Sequence, residues 1–113
     1  MVGLGFAPPS VPAGPLDEVP AELIALVETE GRMHAQMAEC EMDTFKYEET
    51  LRSKLHNAWL DDRDTAARVF RLYRRARAGE RAHLSACDMD RLEATVARWH
   101  RQLGPAKDAI FGD

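Results

Sequence analysis

Two groups of side chains in this sequence have the types and spacing of metal ligands. Glu80 and His83 form a Glu-x-x-His sequence, which is the spacing used by di-iron carboxylate bundles. Such a site needs a second copy of the motif, and the chain has none. A second group offers soft ligands on one helix face, namely Met33, His34, Met37 and Cys40. Because methionine and cysteine at helical spacing are also common core residues, we predict no metal and no cofactor.

The sequence contains no motif for nucleophilic or phosphate-transfer catalysis. It lacks a Gly-x-Ser-x-Gly sequence, a phosphate-binding loop and a Gly-x-Gly-x-x-Gly sequence. The two cysteines, Cys40 and Cys87, fall where a helix face and a helix cap are expected, not beside a base. We therefore predict that the protein is not an enzyme and has no small-molecule substrate.

The start of the chain and its apolar runs bear on the cellular location. The start of the chain has no basic segment followed by an apolar run of signal-peptide length. No apolar run approaches the roughly 18 residues of a membrane span. These features favour a cytoplasmic protein that does not enter a membrane, with Cys40 and Cys87 as separate reduced thiols; a disulfide between them is the less favoured alternative.

The most informative feature is an arginine-rich segment. Between Arg63 and Arg81 there are seven arginines and only two acids. At 100° per residue, several of them share one broad stripe, which makes them candidate phosphate contacts: Arg71, Arg74, Arg75 and Arg81, with Arg68 at the edge. Tyr73 lies beside the stripe and could stack on a base.

The charge distribution supports a second interpretation of that arginine face. Residues 1–50 hold ten acids and two bases, a net charge of −8, whereas the remainder is +4, giving −4 overall. An acidic first helix could therefore pair with the arginine face, within one chain or across a dimer. We favour this interpretation, because nucleic-acid-binding domains tend to be basic overall.

The pattern of apolar residues predicts an all-α fold, either a long helical hairpin or a three-helix bundle with an extended Pro/Gly-rich N-terminal arm. The arm covers residues 1–16, which contain four of the six prolines. The helical domain covers 17–104, with helices at about 18–60, 64–79 and 86–103. A short tail, 105–113, follows the Gly104-Pro105 stop signal.

Local signals set these boundaries. Asp17 is the expected cap of the first helix, Asp64 or Asp62 caps the second, and Ser85-Ala86-Cys87-Asp88 resembles a capping box before the third. Gly31 leaves open whether the first helix is continuous, because glycine costs roughly 1 kcal/mol inside a helix.

A first helix of this length would extend beyond the other two, so part of its apolar face is expected to contact another chain. The candidate interface residues are Met37, Leu51, Leu55 and Trp59, joined by Phe6 of the arm. We therefore predict a non-enzymatic interaction or assembly protein, a small subunit or adaptor that binds a protein partner or forms a homo-oligomer through its first helix. The alternative is a helical nucleic-acid-binding subunit of a nucleoprotein machine, of the phage-packaging or RNA-guided-defence type, that uses the arginine-rich helix.

Overall fold

The computed structural model describes residues 19–111, and in that range the protein is all-α, with four helices and no strand. The helices are α1 (Ala21–Glu39), α2 (Phe45–Ala58), α3 (Arg63–Arg81) and α4 (Met89–Phe111). The predicted N-terminal arm, 1–16, lies outside the described residues, as do Phe6 and Asp17.

The predicted first helix, 18–60, is in fact two helices. It is continuous through Gly31 but ends at Glu39, and Glu41 adopts a left-handed backbone conformation with φ of 63°. The amides of Glu41 and Met42 donate to the carbonyls of Ala38 and Met37, the two hydrogen bonds of a Schellman motif. Because a non-glycine residue takes the left-handed position, neither glycine nor proline marks this break in the sequence.

Helix α3 matches the predicted second helix closely. Asp62 is its cap: one carboxylate oxygen accepts from the Thr65 amide at 3.1 Å and the other from the Thr65 hydroxyl at 2.6 Å. These bonds satisfy an amide that the first helical turn leaves without an intrahelical partner.

Helix α4 differs from prediction at both ends. It begins at Met89, where Asp88 caps it by accepting from the Arg91 amide at 3.0 Å. It then continues through Gly104 and Pro105 to Phe111, so the predicted stop and the separate tail are wrong for residues 105–111. Packing explains the continuation, since Ala106, one residue after the proline, is completely buried in the core.

Hydrogen bonds between helices fix their directions. Gln36 pairs with Glu80 and His34 with Tyr73, so α1 and α3 run the same way. Glu48 of α2 pairs with Arg77 of α3, and Trp99 of α4 pairs with Glu30 of α1. Because Thr44 also meets Arg77 whereas Arg52 meets Phe70, α2 runs opposite to α3. The Arg91–Glu80 bond likewise places the start of α4 at the end of α3, which gives an up-down-up-down order.

Gly31 is the point of closest approach between α1 and α3. A β-carbon at this position would overlap the carbonyl oxygen of Tyr73 and lie 3.0 Å from the amide nitrogen of Arg77. The two helices therefore touch backbone to backbone, an approach that only glycine allows. Around this contact lies the apolar core, whose completely buried members include Val27, Val69 and Tyr73. None of the four described helices is long and apolar enough to cross a membrane.

Candidate functional site: an apolar groove over α1

A cavity of about 510 Å³ opens between α2 and α4, with α1 as its floor. This volume lies within the range of ligand-binding pockets in proteins, roughly 300–1,000 Å³. The floor is formed by Leu23, Leu26, Val27 and Glu30, and Tyr47 contributes at the start of α2. We call this cavity the α2–α4 groove.

The two walls are apolar stripes at helical spacing. From the α2 side come Leu51, Leu55, Ala58 and Trp59, and from α4 come Trp99, Leu103, Ala106 and Ile110. Trp59 and Trp99 are the only two tryptophans in the chain, and both are half-buried. The groove therefore combines large apolar area with two indole rings that stay partly accessible, a composition typical of protein-binding surfaces.

One carboxylate lies in the floor. Glu30 accepts a hydrogen bond from the indole nitrogen of Trp99 at 3.2 Å, which ties α1 to α4. Burial raises the pKa of Glu30 above its usual value, although the Trp99 bond and the positive charge of Lys54 oppose that shift. Burial of this carboxyl in the floor therefore disfavours its charged form.

Two lysines flank the groove. Lys54 lies on the α2 wall and Lys107 on the α4 wall, and both are exposed. The whole chain has three lysines, and only Lys46 lies elsewhere. Positive charge at the groove therefore comes from two flexible side chains on opposite walls.

Beneath the groove, a buried chain of polar contacts crosses the bundle. Nε2 of His34 lies 3.6 Å from the Glu30 carboxylate, and its Nδ1 lies 2.6 Å from the Tyr73 hydroxyl. The Tyr73 hydroxyl also lies 3.2 Å from a carboxylate oxygen of Glu48, so it stands between His34 and Glu48. His34 is 1% exposed, and burial, with the nearby Arg77 charge, lowers its pKa to about 4. The imidazole is therefore neutral and closed to solvent, which suits a structural role rather than acid–base chemistry.

Arg77 completes this polar chain at the surface side. Its guanidinium donates to Glu48 at 2.7 Å and to the Thr44 hydroxyl at 2.9 Å. An arginine of α3 thus meets a glutamate that was assigned to the first helix, although Arg77 is not among the five arginines of the predicted stripe.

Those five arginines lie on the face of α3 opposite the core. Arg71, Arg74, Arg75 and Arg81 are exposed and Arg68 is half-buried. Arg74 lies over the Phe70 ring at 5.5 Å from its centroid, and Arg52 of α2 lies over the same ring at 4.5 Å. Among the described residues, no ion pair joins any of the five to a carboxylate.

The predicted interface residues are divided by the break after α1. Met37 is half-buried near the end of α1, whereas Leu51 and Leu55 are buried on α2 at 7% and 4% exposure. Leu51, Leu55 and Trp59 all line the groove. They do not form one continuous face with Met37, because Glu41 separates the two helices.

The expectation of two reduced thiols is wrong. Cys40 and Cys87 form a disulfide that links the α1–α2 turn to the α3–α4 turn. The antiparallel order brings these two turns to the same end of the bundle, although the cysteines are 47 residues apart. The soft-ligand group of α1 therefore has no thiol to offer a metal.

Glu80 and His83, the two residues of the Glu-x-x-His sequence, each contact other groups of the protein. Glu80 is 7% exposed and accepts from Arg91 and from Gln36, both at 2.7 Å; the Arg91 bond holds its pKa below the usual value. The His83 ring contacts the Gly79 carbonyl instead. Within residues 19–111, no cluster of three potential metal ligands occurs.

The α4 wall was not found from the sequence. Trp99 and Leu103 lie on this wall but are not among the interface residues that the sequence predicts. The signal that could have revealed the groove is the continuation of the same spacing through Ala106 to Ile110, which the Gly104-Pro105 pair obscured. No model of a known protein family, no curated protein sequence and no solved structure matches this chain.

Proposed function

We propose that this protein is a non-enzymatic adaptor that binds an apolar segment of a partner protein in the α2–α4 groove. The observation that carries the proposal is the groove itself, with apolar stripes on two helices that face each other across α1. A partner helix laid between α2 and α4 would bury both indole rings and both stripes, which is the helix-in-groove mode of recognition. This proposal moves the contact from the first helix alone to the groove between three helices.

A defined probe tests the proposal. The probe is a synthetic amphipathic peptide of about 16 residues, long enough to form a helix, with leucines at i, i+3, i+4 and i+7. Because both tryptophans line the groove, saturable binding should shift the tryptophan emission to shorter wavelength. We expect this at micromolar peptide concentrations.

A matched pair of variants locates the binding site. Ala58 is exposed and lines the groove, whereas Ser53 is exposed on α2 outside it. Ala58→Arg should block the groove with a large side chain and weaken peptide binding at least about tenfold, which corresponds to 1.4 kcal/mol. Ser53→Arg adds the same charge to the same helix and should bind like the wild type. Equal binding by both variants, or no binding by the wild type, contradicts the proposal.

A second candidate function has its own supporting observation, the exposed arginine stripe of α3. Arg71, Arg74 and Arg75 present planar guanidinium groups to solvent, the geometry that pairs with phosphate. Binding to a short RNA or DNA duplex should then weaken steeply with salt. Arg71→Glu/Arg75→Glu should abolish it, whereas Arg98→Glu/Arg101→Glu, on exposed positions of α4, should not.

A further inference from the structure

We infer that the partner segment is an acidic amphipathic helix, whose carboxylates pair with Lys54 on one wall of the groove and Lys107 on the other. This inference rests on the proposed docking function and assigns the chemistry of the occupant. Its basis is the distribution of charge around an otherwise apolar site.

The position of the two lysines selects the charge of the partner. Each lies on a different wall, and each belongs to the lining of the groove. Within residues 19–111, neither lysine forms an ion pair with a carboxylate. A helix seated in the groove would place its flanking residues beside these ammonium groups, so glutamates at the flanks are attracted and lysines are repelled.

The walls also favour a helix over a single small acid. A small apolar acid has one carboxylate, whereas the two cations stand on opposite helices. A helix whose apolar stripe faces α1 carries residues on both sides of that stripe, which matches one cation on each wall.

Glu30 adds a second selective element at the floor. Its carboxylate lies at the base of the groove and is bonded to Trp99. An acidic residue in the middle of the apolar stripe would have to be buried beside this second carboxyl, which costs free energy. The inferred partner therefore has acids at the edges of its stripe and none at its centre.

Two probe peptides test the inference on the full chain. They share the leucine stripe described above and differ only in the flanking residues, which are glutamates in one peptide and lysines in the other. The wild type should bind the glutamate peptide about tenfold more tightly than the lysine peptide, the value expected for two surface ion pairs. Added salt should reduce the difference.

A charge-reversal variant makes the test specific. Lys54→Glu/Lys107→Glu should reverse the preference, so that the lysine peptide binds more tightly. The matched control is Lys46→Glu/Arg98→Glu, which makes the same change in charge at exposed positions on the same two helices, outside the groove. The control should keep the wild-type preference.

The outcomes separate this inference from the docking proposal. If the wild type and the reversed variant bind both peptides equally, the groove docks apolar segments but charge does not select them. That result overturns the inference and points to an uncharged occupant, such as residues 1–16 of this chain, which contain no charged side chain. If neither peptide binds, both the inference and the docking proposal are wrong.

Discussion

The Tyr73 hydroxyl lies 2.6 Å from Nδ1 of His34, which joins α3 to α1 in the interior of the bundle. The contact is buried, and the aromatic rings meet edge to face with centroids 5.4 Å apart. Around His34 lie Glu30 on its own helix, Tyr47 and Glu48 on α2, and Arg77 on α3. Burial and the Arg77 charge both disfavour a protonated imidazole and outweigh the opposing effect of Glu48, so they lower the pKa of His34 to about 4.

This neutral histidine makes stability depend on pH. The unfolded chain takes up a proton at the ordinary histidine pKa of 6.5, but folded His34 does so only at a pKa of about 4. The stability it contributes is thus complete above pH 6.5 and is lost as pH falls toward 4. Between pH 7 and pH 5 the free energy of unfolding should drop by about 2 kcal/mol from this residue. Urea denaturation at the two pH values measures this drop in the free energy of unfolding.

Two variants isolate the His34 contribution. His34→Leu should remove this part of the pH dependence, whereas His56→Gln, at an exposed position, should retain it. The buried carboxyl of Glu30 acts in the opposite direction, because its raised pKa favours the folded state at low pH. Glu30 is present in all three proteins, so the comparison still reports on His34. An unchanged pH dependence in His34→Leu would refute the assignment.

The backbone contact at Gly31 predicts opposite effects of the same substitution at two glycines. Gly31→Ala forces a methyl group against the Tyr73 carbonyl oxygen and should destabilise the protein by about 3 kcal/mol. Gly79→Ala, on an exposed position of α3 with nothing within 4 Å, should instead stabilise it by up to about 1 kcal/mol. Thermal unfolding of both variants checks the signs. A Gly31→Ala protein as stable as the wild type would disprove the close approach of α1 and α3.

The Cys40–Cys87 disulfide should matter mainly through the unfolded state. Because the cysteines are 47 residues apart, the chain-entropy relation gives a stabilisation of about 4 kcal/mol. Reduction should lower the urea midpoint of the wild type accordingly. The Cys40→Ser/Cys87→Ser variant should have the urea midpoint of the reduced protein, and adding reductant should not change that midpoint. A wild type with the same midpoint in both conditions would show that the cross-link contributes nothing.

Several local features could be predicted from the sequence because they depend on neighbouring residues. The exposure of the arginine stripe follows from 100° per residue, and the caps of α3 and α4 follow from short carboxylates before an apolar run. The sequence offers Asp62 as one of two possible caps of α3, and it offers Asp88 as part of the capping box before α4. These elements need no knowledge of the rest of the fold.

Other features could not be predicted because distant contacts determine them. The left-handed conformation of Glu41 has no glycine to mark it in the sequence. Helix α4 passes through Pro105 because the burial of Ala106, the next residue, outweighs the local stop signal. The disulfide requires knowing that two turns share one end of the bundle. For the same reason, the α2–α4 groove became visible only once the directions of the helices were known.

The most direct test of the docking groove is to follow the two indole N–H signals by nuclear magnetic resonance while the glutamate-flanked peptide is added. Trp59 and Trp99 supply the only indoles in the chain, and both line the groove. We expect both signals to shift and saturate together, while the amide signals of the exposed arginine stripe on α3 stay in place. Indole signals that stay in place, or shifts confined to the arginine stripe, would contradict the docking proposal.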